Sequence, residues 1–498
     1  MAVNAIFAAG GTYDSIPAKD SVAIRANKKL AAQTYEIAFK KFPKHEKTPA
    51  LLYNACLAWD DARETKEAIR CNRDLVREYP KSTYALDAAY SIPVAYENAK
   101  DWKNAIIEYE NFIKNYQSDK EKLINAYTKT ARAYLEAKDT AKAMNAFKNT
   151  IATYDKFGVQ LKNSDPAFAA EAAFMLGEFE KATMNPLTIK GNDKAKLDMI
   201  KKLMGILQGA TKHYAKSAEY ASEKWTFRAK NRIAELFVVV AAKVRGQESD
   251  LNKKDKAYKE KLFVERIQVV QQLPSYYEQA RPLFQANIDL AREQGYYNPD
   301  VVAAQDGYIE MFYRDCQNFD EVGNAFAEAP LPDSVAMMKE FIADQGMAKE
   351  DAIFAVHEDL EAYREELQNK SQTAKQGALP RCASGIKASA HYGIKNKWTD
   401  SLFTLVKKID AENDILATSI KEFDPSTLFR DDSYNKTKAR LTQIEKSQDL
   451  TPQEQIKTYK EIASEAKAKN AKLKEELANL RAKWRAGSSP GMGTDSGD

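Results

Sequence analysis

Apolar side chains between residues 26 and 156 recur at helical steps, and the pattern of steps itself repeats. Aligning Ala31, Ala68, Ala105 and Ala143 gives spacings of 37, 37 and 38 residues. One position later stand Ala32, Ile69, Ile106 and Met144; four later, Tyr35, Asn72, Tyr109 and Phe147; eight later, Phe39, Val76, Ile113 and Ile151. Eleven positions later the residue is aromatic every time: Phe42, Tyr79, Tyr116 and Tyr154. These offsets fall on one stripe of an α-helix. A second helical pattern precedes each of the last three, with Trp59, Tyr96 and Tyr134 nine residues before the alanine. Short polar linkers at 62–65, 99–101 and 138–140 join the two. Each unit is therefore a helical hairpin with an open face that a neighbour must cover.

These residues resemble the tetratricopeptide repeat (TPR) family. The resemblance is carried by the aromatics before the turn (Trp59, Tyr96, Tyr134), the small column (Ala68, Ala105, Ala143) and Pro80 after the second helix. Tyr79-Pro80-Lys81-Ser82 and Asp101-Trp102-Lys103-Asn104-Ala105-Ile106 are most like repeats of bacterial cell-envelope scaffold proteins. The match is specific over 26–156 and looser through 171–178. Pro93 departs from it where the family prefers a small residue, and a kink is expected there. Gln117 and Asp155 replace the terminal proline, which predicts longer helices or connections after those units.

The fold class is thus all-α: a TPR-like superhelix of hairpins, then irregular hairpins and a C-terminal amphipathic helix. The divisions read as an irregular N-terminus over 1–25, TPR-like repeats over 26–246, further α-hairpins over 247–430, a C-terminal hairpin with a heptad seam over 431–485, and a flexible tail over 486–498. Two long helices occupy 194–246 with a turn at 219–223, and another over 249–273 is expected to stop at Pro274. Gly346, Pro380 and Pro425 read as further breaks, and Pro330-Leu331-Pro332-Asp333 as a connection whose Asp333 caps the next helix. In the last segment Thr451, Pro452 and Glu454 start a helix. Its seam runs Ile456, Tyr459, Ala463, Ala466, Asn470, Leu473, Leu477, Leu480 and Trp484. The flanks, Lys460, Lys467, Lys474 and Arg481 with Ile462, Lys469, Glu476 and Lys483, set like charges together and disfavour a simple homodimer. Docking on an acidic helical surface, its own or a partner's, is expected instead.

Composition agrees. With 29% charged residues, 19 glycines and 16 prolines in 498, the chain favours helix over turn-rich sheet. Mean hydropathy is −0.57. A net charge of +4 without a dense basic block argues against nucleic acid as a partner. No apolar run is long enough to span a bilayer; the longest, 236–242, is seven residues. The uncharged start, MAVNAIFAAGGTY, reads as an ordinary mobile end rather than as the remnant of a signal peptide. Compartment stays open on these grounds, with periplasm or envelope preferred to cytoplasm on the resemblance.

The search for chemistry returns no catalytic residues, no metal site and no cofactor. Phosphate-binding glycine loops are absent. His357-Glu358 opens like a zinc-protease helix but lacks the second histidine. Asp410, Glu412 and Asp414 imitate a calcium loop, yet Ile415 and Lys421 stand where glycine and glutamate are required. Ser384-Gly385-Ile386-Lys387 matches SxxK without its companion motifs, and His45, His213, His357 and His391 are scattered. Cys56, Cys71, Cys316 and Cys382 have no CxxC spacing; Cys56 and Cys71 read as buried thiols rather than a disulfide.

What remains is binding of protein partners. The resemblance implies a groove lined by the first helix of each hairpin, here Tyr53, Leu57, Asp60 and Asp61, then Tyr90, Val94 and Glu97, then Thr128, Arg132 and Leu135. That groove suits a helix or extended peptide with apolar anchors and basic residues. Packing of the two tyrosines against the next hairpin is an equal reading. The alternative function is a helical enzyme acting on cell-wall glycan, like a lytic transglycosylase, but no glycine-rich GLMQ-like turn is found.

Overall fold

Sixteen α-helices follow one another in pairs in the computed structural model, which describes residues 1–410 apart from 18–19, 162, 256, 296 and 345–348. The 431–485 hairpin with its heptad seam, Glu412, Asp414, Pro425, Gly346 and the tail lie outside the described residues. The repeat region contains α1 (Ala2–Ser15), α2 (Ser21–Lys41), α3 (Thr48–Asp61), α4 (Thr65–Glu78), α5 (Ala85–Asn98), α6 (Trp102–Asn115), α7 (Lys120–Glu136) and α8 (Thr140–Phe157). It continues through α9 (Pro166–Ala182), α10 (Asp193–Glu219), α11 (Glu223–Arg245), α12 (Tyr258–Glu293) and α13 (Pro299–Ala327). Last come α14 (Ser334–Asp344), α15 (Lys349–Tyr392) and α16 (Lys397–Asp410). No strand occurs among the described residues; each helix up to α12 packs chiefly on its neighbours in sequence, whereas α13 packs most heavily on α15. The array is an all-α solenoid.

The small column makes it possible. Ala31, Ala68, Ala105 and Ala143 are buried, so paired helices approach closely, while Tyr35, Tyr109 and Phe147 fill the space one turn away. The aromatics before the turn reach back to the preceding hairpin. Trp59 Nε1 donates to Glu36 Oε1 at 2.8 Å, and the Tyr134 hydroxyl donates to Glu110. Tyr79 closes α4 and donates its hydroxyl to the Pro43 carbonyl at 2.8 Å, linking successive units.

The turns repeat as faithfully as the helices. Arg63, Lys100 and Lys138 all take left-handed backbone, with φ of 60°, 57° and 63°. The following amides, of Glu64, Asp101 and Asp139, then close back onto the carbonyls of Trp59, Tyr96 and Tyr134 at 2.9–3.0 Å. Asp101 and Asp139 next accept from the amides of Asn104 and Lys142, starting the second helix. A side chain at left-handed φ is strained by about 1–2 kcal/mol. Lys100→Gly is therefore expected to raise stability by about 0.5–1 kcal/mol after its entropic cost. Urea unfolding checks this, and a loss of stability would show that the lysine's charge at the helix end outweighs the strain.

Four expectations change. The N-terminal 25 residues are not irregular: α1 and the start of α2 lie there. Gly10 explains why a glycine pair does not stop α1, since a Cβ there would sit 2.3 Å from the ring of Tyr35. The same device recurs at Gly177, where a Cβ would meet Tyr214 at 2.7 Å.

The helix expected to stop at Pro274 runs on, and α12 contains both Pro274 and Pro282. Proline at 274 removes the donor for the Val270 carbonyl, and Asn318 Nδ2 of α13 supplies one at 2.6 Å. Arg245 in turn donates to the side-chain Oδ1 of Asn318 at 3.1 Å. Pro380 likewise lies inside α15. Pro93 is inside α5, which keeps the 14-residue length of α3, α4 and α6.

The cysteines pair. Cys56 on α3 and Cys71 on α4 form a disulfide within one hairpin, their Cα atoms 5.3 Å apart. Cys316 on α13 and Cys382 on α15 form another, with Cα atoms 5.2 Å apart. Asp333 behaves as expected, accepting from the Ala336 amide at 3.4 Å to begin α14.

Candidate functional site

The first helices of successive hairpins, α3, α5, α7, α9 and α11, present one continuous face. Sequence register places the candidate groove residues on it, and the structure shows what each one does there. Tyr53 is half-buried and stacks on Tyr84 with ring centroids 5.1 Å apart. Tyr90 is also half-buried, edge-on to Phe112 at 5.1 Å, and donates its hydroxyl to Asn125 Oδ1 of α7 at 2.7 Å. Desolvation raises the hydroxyl pKa of both. Val94 is half-buried beside the core of α5 and α6. Thr128 is fully buried and shares a 3.2 Å hydrogen bond with Thr150, so it lines no surface. Leu135 packs against the cluster containing Phe147.

The charged members tie adjacent hairpins together. Glu97 accepts from Lys129 of α7 at 2.9 Å and from the Tyr109 hydroxyl. Arg132 grips Glu171 of α9 with two parallel hydrogen bonds, one of 2.5 Å, and this grip raises the guanidinium pKa. Around them Asp87 pairs with Lys122 at 2.8 Å, and Glu178 of α9 accepts from Arg232 of α11 at 2.9 Å. Exposed or half-exposed pairs of this kind contribute about 0–1 kcal/mol each. The alanine and aromatic columns hold the array together; the rungs fix the spacing between first helices. Lys122, Asn125, Lys129 and Glu171 were missed in sequence because they follow no repeat, although they recur 32–39 residues after their partners.

One stretch of the face keeps exposed groups that the next hairpin does not engage. Leu57 is 44% exposed. One turn on, Asp60 has no ion-pair partner among the described residues, and desolvation, then the neighbouring Asp61, raises its carboxyl pKa. Asp61 and Asp14 share a single lysine, Lys28, at 3.0 and 2.8 Å. The structure thus brings Tyr53, Leu57, Asp60 and Asp61 together on α3 as an apolar step with surplus acid. Glu97 and Arg132 are spoken for by their neighbours.

Other candidates resolve plainly. The Ser384 hydroxyl donates to its own helix, at the Pro380 carbonyl, 2.7 Å away. Burial lowers the pKa of His213. Among the described residues no three His, Cys, Asp or Glu side chains converge as metal ligands, and no helix is long and apolar enough to cross a membrane.

Residues 125–156, spanning most of α7 and α8, match the sequence model of the tetratricopeptide repeat. No curated protein matches the chain. Solved structures similar to it include a tetratricopeptide repeat protein from Parabacteroides merdae, 12% identical over 62% of this chain and 98% of that one, with a TM-score of 0.26. BtubC from P. vanneervenii is 11% identical over 56% of this chain and 93% of its own, with a TM-score of 0.30. The TPR2AB domain of yeast Sti1, in complex with an HSP90 peptide, is 12% identical over 66% of this chain and 99% of its own, with a TM-score of 0.26. The solenoid described above rests on this chain's own helices.

Proposed function

We propose that this protein is a non-catalytic scaffold that holds a partner segment against the first-helix face, centred on Leu57 and Asp60. The observation that carries the reading is the contrast along that face. Asp87, Glu97, Arg132 and Glu178 on the later first helices are paired with the next hairpin, whereas α3 leaves a leucine and an acid exposed beside a tyrosine stack. A helix or extended peptide with an apolar anchor and a basic residue complements this arrangement. Tetratricopeptide repeats serve in general as protein-binding modules, which supports the same reading. The two buried disulfides favour an oxidising compartment, and a bacterial envelope assembly is the setting that fits them together with the repeat sequence.

The test pairs Leu57→Glu with Asp60→Lys. Neither side chain is buried, so melting is expected to move by no more than about 0.5 kcal/mol. Partner binding, measured with proteins cross-linked and identified in the source cell, is expected to fall at least tenfold. Tyr53→Ala with Tyr90→Ala separates groove from packing. Loss of capture with little change in melting supports a groove floor, while a collapsed melt with normal capture of the refolded protein assigns both rings to packing. Retained binding in the Leu57→Glu, Asp60→Lys variant would end the proposal.

A further inference from the structure

The first hairpin carries a second, unrelated surface. Half of the large apolar side chains exposed on the described residues belong to the first 37 residues, Val22 and Leu30 among them at 68% and 44% exposure. On α2 the exposed positions Val22, Ala26, Leu30, Gln33 and Ile37 are separated by steps of four, four, three and four. They form a straight stripe of about four turns. The opposite side of the same helix, Ala31, Tyr35 and Ala38, is buried. The preceding helix α1 also exposes small uncharged residues, including Ala2, Ala5 and Ala9. The matching positions on the later second helices are also unburied, but they are mostly polar: Glu67, Arg70 and Asp74 on α4, and Lys142, Asn145 and Asn149 on α8. Apolar character sets the α2 stripe apart.

Charge selects the occupant. α2 carries Arg25, Lys28, Lys29, Lys40 and Lys41 against one acid, Glu36, and Lys44 follows its end. Glu36 is buried and engaged by Trp59, by Arg70 and, at 3.6 Å, by Lys40. Lys28 and Lys29 are drawn to Asp14, Asp61 and Glu64, while Lys41 and Lys44 have no carboxylate partner among the described residues. The rim is basic. Two copies meeting here would oppose their lysines, which disfavours self-pairing. Steps of three and four are matched by another helix lying alongside, whose ridges enter the grooves between them.

We infer that the α1/α2 edge is a docking site for an acidic amphipathic helix of a partner protein, separate from the first-helix face. Anisotropy with two labelled 18-residue helical peptides tests this on the full chain. Both carry leucine at positions i, i+3, i+4 and i+7, one flanked by glutamate and the other by lysine. The acidic peptide is expected to bind at least tenfold more tightly than the basic one, and to weaken as salt rises. Val22→Asp with Leu30→Asp, both at exposed sites, should reduce binding at least tenfold without changing the melt. Lys40→Glu, Lys41→Glu and Lys44→Glu together should reverse the preference, and Leu57→Glu should leave it intact. Equal binding of the two peptides, or binding indifferent to the aspartates, overturns the inference. So would a sedimenting dimer that the aspartates dissociate, or flotation with phosphatidylglycerol vesicles that they abolish, since the occupant would then be a second copy or a membrane.

Discussion

Replacing Cys316 and Cys382 by alanine is expected to destabilise the protein by about 4 kcal/mol. The bond closes a 66-residue separation and joins α13 to α15, both sulfurs lying in the buried core. Most of the effect comes from the unfolded chain, which regains the freedom that the cross-link removes. The Cys56–Cys71 bond spans 15 residues, so its removal should cost less, about 3 kcal/mol. Urea unfolding of the two double-alanine variants measures both. A loss below 1 kcal/mol for the longer loop would mean that the unfolded state stays organised around α13 and α15 without the bond. Burial adds a kinetic expectation: dithiothreitol should reduce the native protein slowly and the urea-unfolded protein at once.

Trp59→Ala is expected to cost about 3–5 kcal/mol, because the indole is 7% exposed and lies where α3 meets the preceding hairpin. Trp59→Phe keeps most of the apolar volume and loses only the hydrogen bond to Glu36, whose carboxylate retains Arg70. It should cost about 1–3 kcal/mol. Thermal and chemical melts of both variants decide the point. Equal losses would place the energy in the hydrogen bond rather than in the packing, against the explanation given for the repeated aromatic.

The regular hairpins were legible because one side-chain size recurs at each level. Alanine at 31, 68, 105 and 143, and an aromatic nine residues before three of them, define both register and turn. Elsewhere the decisive partner is distant in sequence. Pro274 looks like a helix stop until Asn318 is seen feeding the stranded Val270 carbonyl, 48 residues before it in sequence. The N-terminal residues look irregular until Tyr35, far along the chain, is seen packed against Gly10 of α1. The Cys316–Cys382 bond is hidden for the same reason, with 66 residues between its ends. Cys56 and Cys71 are only 15 residues apart, but periodicity alone does not say that they sit at one level across the hairpin. At the candidate site, register places Leu57 and Asp60 on the first helix α3, where both are exposed. It could not show that Glu97 and Arg132 are occupied by Lys129 and Glu171, since those rungs follow no shared spacing.

Leu57 and Ile107 are exposed to nearly the same degree, 44% and 46%, but Leu57 lies on a first helix and Ile107 on the second helix α6. A photo-reactive amino acid placed at each position in the full-length protein, expressed in its own cell, therefore compares the two faces at matched accessibility. A discrete cross-linked protein at position 57, lost when Asp60→Lys is added and absent at position 107, is the result expected of a scaffold that binds through its first-helix face. The same cross-linked band at both positions, or one only at 107, would contradict it.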